Sequence, residues 1–301
     1  MTRTLSPYLS ETRKHDMRDS QTGKLKKKLN RAVSVMAALI LVIAAIILDS
    51  RFRLVTTEYE LYSDDLPAAF DGFRVVQLSD LHGAEFGEDN GRLLKRVAKA
   101  EPDIIALTGD FISSPEDVEP LRPFLAELVK LAPVYFVSGN HDWASGAIER
   151  LAALLSELGI VYLRNQHVAL SRGGESIILA GVEDPNGWAD MPKPDQVVEN
   201  IRAEYPEGYV LLLAHRNYWA ERYPDLDVNL ILCGHGHGGI VRLPFIGGLI
   251  GTNMNLMPKY DAGLYSAARY EMLVSRGLGN SIAVPRFLNN GEIVVAVLRC
   301  A

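Results

Sequence analysis

Short apolar runs that end in polar corners recur along the chain. They are "FRVVQLSDLHG" (Phe73–Gly83), "DIIALTGDF" (Asp103–Phe111), "PVYFVSGNHD" (Pro133–Asp142), "YVLLLAHRN" (Tyr209–Asn217) and "VNLILCGHGHGG" (Val228–Gly239). Each run is short, apolar and bounded by glycine or a turn former, the pattern of a buried strand. Between several of them, "NGRLLKRVAKA", "PLRPFLAELVKLA" and "AIERLAALLSELG" place apolar residues at helical spacing. Strand alternating with helix predicts an α/β domain with largely parallel or mixed sheets. In such sheets ligands collect at the carboxyl ends of the strands, where all five corners lie. In the last corner His235 and His237 are two apart, so an extended backbone would point both to one side, and the glycines around them admit close approach of main chain or ligand.

One run differs from the rest. Ala32–Leu48, "AVSVMAALILVIAAIIL", carries no charge and is long enough for a candidate membrane helix. Residues 1–31 hold nine Lys/Arg against three acids, and beyond the run only Arg51 and Arg53 lie close by. This asymmetry predicts a single-pass protein with a cytoplasmic N-terminus and an extracytoplasmic C-terminal part. A cleaved signal peptide fits less well, because no A-x-A site precedes "LDSRFR". The expected organisation is a polar, flexible basic tail over 1–31, a transmembrane helix over 32–48, an extended connector over 49–68 and a catalytic domain over 69–301.

Charge and cysteine content narrow the partners. Outside the tail the chain has 22 basic and 34 acidic residues, a net charge of −12, which argues against nucleic acid. Cys233 in an apolar strand and Cys300 next to the end indicate no disulfide framework.

Five of the seven histidines, His82, His141, His215, His235 and His237, fall in the corners; only His15 and His167 lie elsewhere. With Asp80, Asp110 and Asn140 they form a mixed imidazole, carboxylate and amide set suited to zinc, iron or manganese rather than calcium. The set exceeds what one catalytic ion needs, and two ions sharing a carboxylate would use it fully. Arg216 after His215 is a candidate phosphate clamp. Glu183 and Asp184 read as a turn after the strand "SIILAG", and His167 as a strand or loop edge.

The ordered motifs D-x-H (Asp80, His82), G-D (Gly109, Asp110), G-N-H-D (Gly139–Asp142), His215 and G-H-x-H (Gly234–His237) resemble the calcineurin-like metallophosphoesterases over roughly residues 55–300. "GGIVRLPFIGGLI", "PKYDAGLY" and "SRGLGNS" resemble their bacterial membrane-associated YkuE-like branch. The resemblance implies a four-layer αββα sandwich. It also implies one metal on Asp80, His82 and His237, a second on Asn140, His215 and His235, and Asp110 bridging, with a hydroxide between the metals as nucleophile. His141 is implied to contact the phosphate and protonate the leaving oxygen. The implied reaction is hydrolysis of a phosphomonoester, phosphodiester or pyrophosphate, of a small molecule or of a lipid or envelope substrate. The alternative is a non-catalytic metal-binding scaffold. Two positions depart from the family pattern: Ser113 stands where relatives carry an acid that supports the catalytic histidine, and "AHRN" replaces H-x-P. Asp142 either replaces that acid or caps a helix.

Overall fold

The computed structural model describes the backbone of residues 8–301 and the side chains from residue 26 onward. The chain divides into two compact units, Met1–Leu48 and Asp49–Ala301. Helix α1, Tyr8–Phe52, carries the apolar run, and its Lys26–Phe52 portion, 27 residues, is long and apolar enough to cross a membrane. Of the tail expected over 1–31, residues 1–7 lie outside the described residues and the remainder is helical backbone rather than a flexible segment.

The connector expected over 49–68 belongs to the folded unit. Strand β1, Leu54–Ser63, pairs in parallel along its whole length with the last strand, so its backbone groups find partners in the sheet instead of water. After it come β2 (Arg74–Leu78), α2 (Gly91–Lys99), β3 (Ile104–Thr108), α3 (Leu121–Leu128), β4 (Val134–Val137), α4 (Asn140–Ala144), α5 (Ile148–Glu157) and β5 (Val161–Tyr162). The second half adds β6 (His167–Arg172), β7 (Glu175–Gly181), α6 (Pro194–Glu204), β8 (Val210–Leu213), α7 (Trp219–Arg222) and β9 (Leu230–Cys233). The chain closes with β10 (Val241–Leu243), β11 (Gly247–Ile250), β12 (Gly263–Ser266), β13 (Glu271–Val274) and β14 (Gly291–Cys300).

Two six-stranded sheets result, ordered β1-β14-β2-β3-β4-β5 and β12-β13-β9-β8-β7-β6, with a separate β10–β11 hairpin. Both are mixed: β2 to β5 and β7, β8, β9 and β13 are parallel, while β14 meets β2, β6 meets β7 and β12 meets β13 antiparallel.

Alternation along the strands builds the layers. Ile105 and Leu107 face a core shared with Leu93, Phe124 and Leu151 of the helices, whereas Ala106 faces a core shared with Leu211 and Leu213 of the other sheet. Val210 and Leu212 point the opposite way, onto Val197, Ile201 and Trp219 of α6 and α7. A period of two on strands buried on both faces therefore stacks helix, sheet, sheet and helix, the four-layer αββα sandwich. Gln77 pins the sheets together near the corners, its buried Nε2 donating to Thr108 Oγ1 at 2.9 Å and to the Cys233 carbonyl at 2.8 Å. Both cysteines are free thiols.

Candidate metal centre

Following β2, β3, β4, β8 and β9, the five corners converge at one end of the paired sheets. His82 Nε2 lies 3.3 Å from His237 Nε2, which in turn lies 3.3 Å from Asp80 Oδ1. On the other side His215 Nε2 lies 3.1 Å from Asp110 Oδ2. Asp110 Oδ2 is also 3.6 Å from His82 Nε2, so this carboxylate faces both halves. Three overlapping groups could hold cations: Asp80, His82 and His237; His82, Asp110 and His141; and Asp110, His215 and His235.

The corner backbone is strained where the ligands sit. Asp80, His82, Asp110, His235 and His237 all have φ between 48° and 67°. Left-handed backbone costs a non-glycine residue of the order of 1–2 kcal/mol, and it persists only where the surroundings enforce it. For the two histidines of the last corner this overturns the expected extended geometry. The turned backbone sends His235 to Asp110 and His215, and His237 to Asp80 and His82. The glycines permit the crowding: a Cβ on Gly234 would overlap the Ser79 hydroxyl and the Asp80 carboxylate, and one on Gly139 would overlap Asp110.

Hydrogen bonds outside the cluster orient its members. His215 Nδ1 lies 2.8 Å from the Thr108 carbonyl, which only accepts, so Nδ1 carries a proton and Nε2 is the nitrogen turned to Asp110. Ser113 Oγ stands 3.0 Å from His82 Nδ1, so the residue in place of the expected acid positions His82, not His141. Asp142 accepts backbone N–H bonds from Asp110, Phe111, Ile112 and Gly139. It therefore caps α4 and ties that turn to the β3 corner, and of its two expected roles capping is the one observed. Arg286 Nη2 lies 3.0 Å from His237 Nδ1. An arginine only donates, so Nδ1 accepts and the ring proton of neutral His237 is on Nε2.

Arg216, the candidate phosphate clamp, is engaged within the protein. Its Nε and Nη2 grip Asp184 at 2.6 and 3.0 Å, and Nη1 lies 3.3 Å from His235 Nε2. Asp184 and Glu183 are correspondingly more than turn residues. Both are buried, and Glu183 accepts bonds from Ser138, Trp143 and Tyr162. His167 lies at the start of the edge strand β6, 3.2 Å from Glu204.

The electrostatics separate the histidines. Burial, followed by the charges of His215 and Arg216, holds His235 down to about 2. Burial likewise holds His82 down to about 3 against the opposing pull of Asp110, and both rings are neutral ligands at any ordinary pH. Burial works against a charged His215 too, but Asp110 at hydrogen-bond distance outweighs it and pushes this ring up to about 10. Asp110 stays charged despite its burial because His215 and His82 face it.

These features fit a divalent metal. The buried atoms Asp110 Oδ2, His215 Nε2 and Asn140 Oδ1 have no hydrogen-bond partner, although burying an unpaired polar atom costs about 1–3 kcal/mol. A carboxylate oxygen, an imidazole nitrogen that gives up its proton on binding and an amide oxygen are all lone-pair donors, and a cation satisfies all three.

The Calcineurin-like phosphoesterase family matches residues 73–239, more than half of the chain and all of the corners. The chain belongs to this family. It is a metal-dependent phosphoester hydrolase. The uncharacterized metallophosphoesterase YkuE of Bacillus subtilis (strain 168) is 31% identical over 251 residues, covering 81% of this chain and 85% of its own length. The Danio rerio transmembrane protein with metallophosphoesterase domain is 29% identical over 267 residues; the match covers 81% of this chain but 57% of that relative. Phosphodiesterase YaeI of Escherichia coli (strain K12) is 28% identical over 214 residues, 69% of this chain and 76% of its own. A solved dimetal phosphatase from Danio rerio aligns with a TM-score of 0.44 at 12% identity, over 76% of this chain and 93% of that one.

Motif reading alone missed Ser79, Thr108 and Arg286. Ser79 donates to Asp80 Oδ2 at 2.6 Å and has only its place beside the first motif as a signal. Thr108 acts through its carbonyl, and Arg286 reaches His237 from 49 positions away, so neither has a sequence signature.

Proposed function

We propose that this metallophosphoesterase binds two divalent ions, manganese, zinc or iron, and hydrolyses a phosphomonoester, phosphodiester or pyrophosphate at a membrane surface, with a lipid or cell-envelope substrate. Asp80, His82 and His237 hold one ion, Asn140, His215 and His235 the other, and Asp110 serves both. The single observation that carries the reading is Asp110 Oδ2, buried, unpartnered and facing a histidine on each side. When bound, the ions supply a nucleophilic oxygen from water at neutral pH and neutralise the phosphoryl oxygens.

The chain's own residues do the rest. His141 opens α4 beside Asn140, its backbone N–H anchored on Asp110 Oδ1 at 2.7 Å and its ring edge-on to His82 with centroids 4.8 Å apart. As the water oxygen bonds to phosphorus, the P–O bond to the leaving group breaks, and His141 passes its proton to the departing oxygen. Arg216, held by Asp184, fixes the ring of His235 rather than touching phosphate.

A panel of phosphomonoesters, phosphodiesters and pyrophosphates, run with manganese, zinc or iron before and after chelation, tests the reading. Metal-dependent cleavage of at least one class is expected. A metal-loaded chain inert toward all three would return the non-catalytic scaffold.

Topology carries its own prediction. The basic residues before the span favour a cytoplasmic N-terminus with residues 55–301 outside. Protease added to intact spheroplasts is expected to remove the catalytic domain; cleavage only after lysis reverses the orientation.

A further inference from the structure

Outside α1, the four most exposed large apolar side chains of the described residues are Phe245, Leu256, Met257 and Met254, and all lie between Val241 and Met257. Phe245 is fully exposed and Leu256 is 78% exposed. Phe245, Met254 and Met257 also have left-handed backbone, φ 67°, 59° and 48°. Large apolar residues held in a disfavoured conformation with their side chains in water gain nothing from packing within the chain.

The stretch is nevertheless built. Strands β10 and β11 form its ladder, and the following loop doubles back so that Leu256 bridges Ile250 and the Met257 N–H reaches the Leu249 carbonyl at 2.9 Å. Backbone N–H groups of Ile246, Gly251 and Met254 are bonded inside the lobe, and Pro244 at the tip has none to satisfy. Internal satisfaction of the backbone is what an apolar medium demands. A cation, exposed Lys259, follows the apolar loop.

The position of the lobe selects its partner. Segment 287–290 joins it to the point where the chain enters the domain: the Phe287 N–H reaches the Ile240 carbonyl at 3.0 Å, and the Asn289 N–H reaches Ser50 Oγ at 3.2 Å. Ser50 follows the apolar run by two residues, so this edge of the domain is next in sequence to the span. The opposite edge of the lobe meets the metal centre, where His235, Thr252 and Asn253 line one cavity of about 260 Å³.

We propose that the β10–β11 lobe is a second membrane contact, with Phe245, Ile246, Leu256 and Met257 seated in the headgroup–acyl boundary of the bilayer that holds the span. Docked this way, the lobe holds the His235 side of the metal centre at the lipid surface. The inference rests on the membrane anchoring proposed above and not on the hydrolytic chemistry.

The test uses the full chain in a Cys300→Ala background, reconstituted in phosphatidylcholine and phosphatidylglycerol vesicles. An environment-sensitive fluorophore is placed at Phe245→Cys, Leu256→Cys or, as a control at an exposed turn just past α3, Lys130→Cys. Labels at 245 and 256 are expected to shift to the blue. They should lose roughly half their intensity to bromines placed about 5–10 Å below the headgroup boundary, while the label at 130 does neither. Labels at 245 and 256 that behave like the one at 130 overturn the proposal, as does a label at 245 that shifts to the blue without vesicles, shielded by a second copy. Quenched labels on a chain that cleaves no phosphoester keep the lobe and overturn the hydrolase reading; unquenched labels on an active chain do the reverse.

Discussion

Asp110→Asn is expected to abolish hydrolysis and to strip metal from both halves of the centre. The amide keeps the shape of the carboxylate, and its oxygen still accepts the His141 N–H that Asp110 Oδ1 accepts at 2.7 Å, so the corner backbone is preserved. What changes is the atom facing His215 and His82. An NH₂ in place of Oδ2 removes the charge that favours a protonated His215, and it donates to the Nε2 of the neutral ring, occupying the lone pair a cation would use. The shared negative charge disappears as well. Because metal supplies several kcal/mol of transition-state stabilisation, turnover should fall by about 10³-fold or more. Elemental analysis alongside steady-state kinetics checks both halves of the expectation. Wild-type enzyme fully active with one tightly bound ion, or a variant that retains two, would show that Asp110 is not shared.

His141→Ala is the second large effect, and it differs in kind. The ring of His141 is half-buried beside His82, while its corner supplies Asn140 Oδ1 as the unpartnered, inward-facing donor. Truncating His141 should leave metal content unchanged and slow substrates with poor leaving groups by about 10²–10⁴-fold, the usual worth of a positioned proton donor. With a nitrophenolate leaving group the loss should shrink, since little proton donation is needed. An equal loss for both substrate types points to phosphate positioning. Lost metal points to ligation, which the grouping of His141 with His82 and Asp110 also permits.

The layered fold was legible because strands buried on both faces and amphipathic helices leave plain periodicities. The expected helical patterns became α2, α3 and α5 within their quoted segments, and each of the five apolar runs contains a strand of the sheets. β1 was not legible. Its "LVTTEYELYS" alternates half-buried and exposed positions and reads as a solvated connector, and only its distant partner β14 makes it an edge strand. Of the centre, the residue types and their order stood in the sequence, since metal chemistry demands imidazole and carboxylate donors whatever the fold.

How those residues divide is a property of the folded chain. The pattern in "GHGH" suggested two side chains on one face, but left-handed backbone at His235 and His237, enforced by corners packed against each other, parts them. Ser113 stands in place of the acid expected to support His141, and Asp142 was its candidate substitute; the structure gives Ser113 to His82 and Asp142 to backbone N–H groups. Arg216, the candidate clamp, has Asp184 from another strand end within 2.6 Å, a partner its local sequence does not announce. Local sequence determined which elements form and which donors they carry, because periodicity and side-chain chemistry are local. Ligand grouping, ring orientation and ion-pair partners were decided only by tertiary structure, because each depends on residues that meet from distant strand ends.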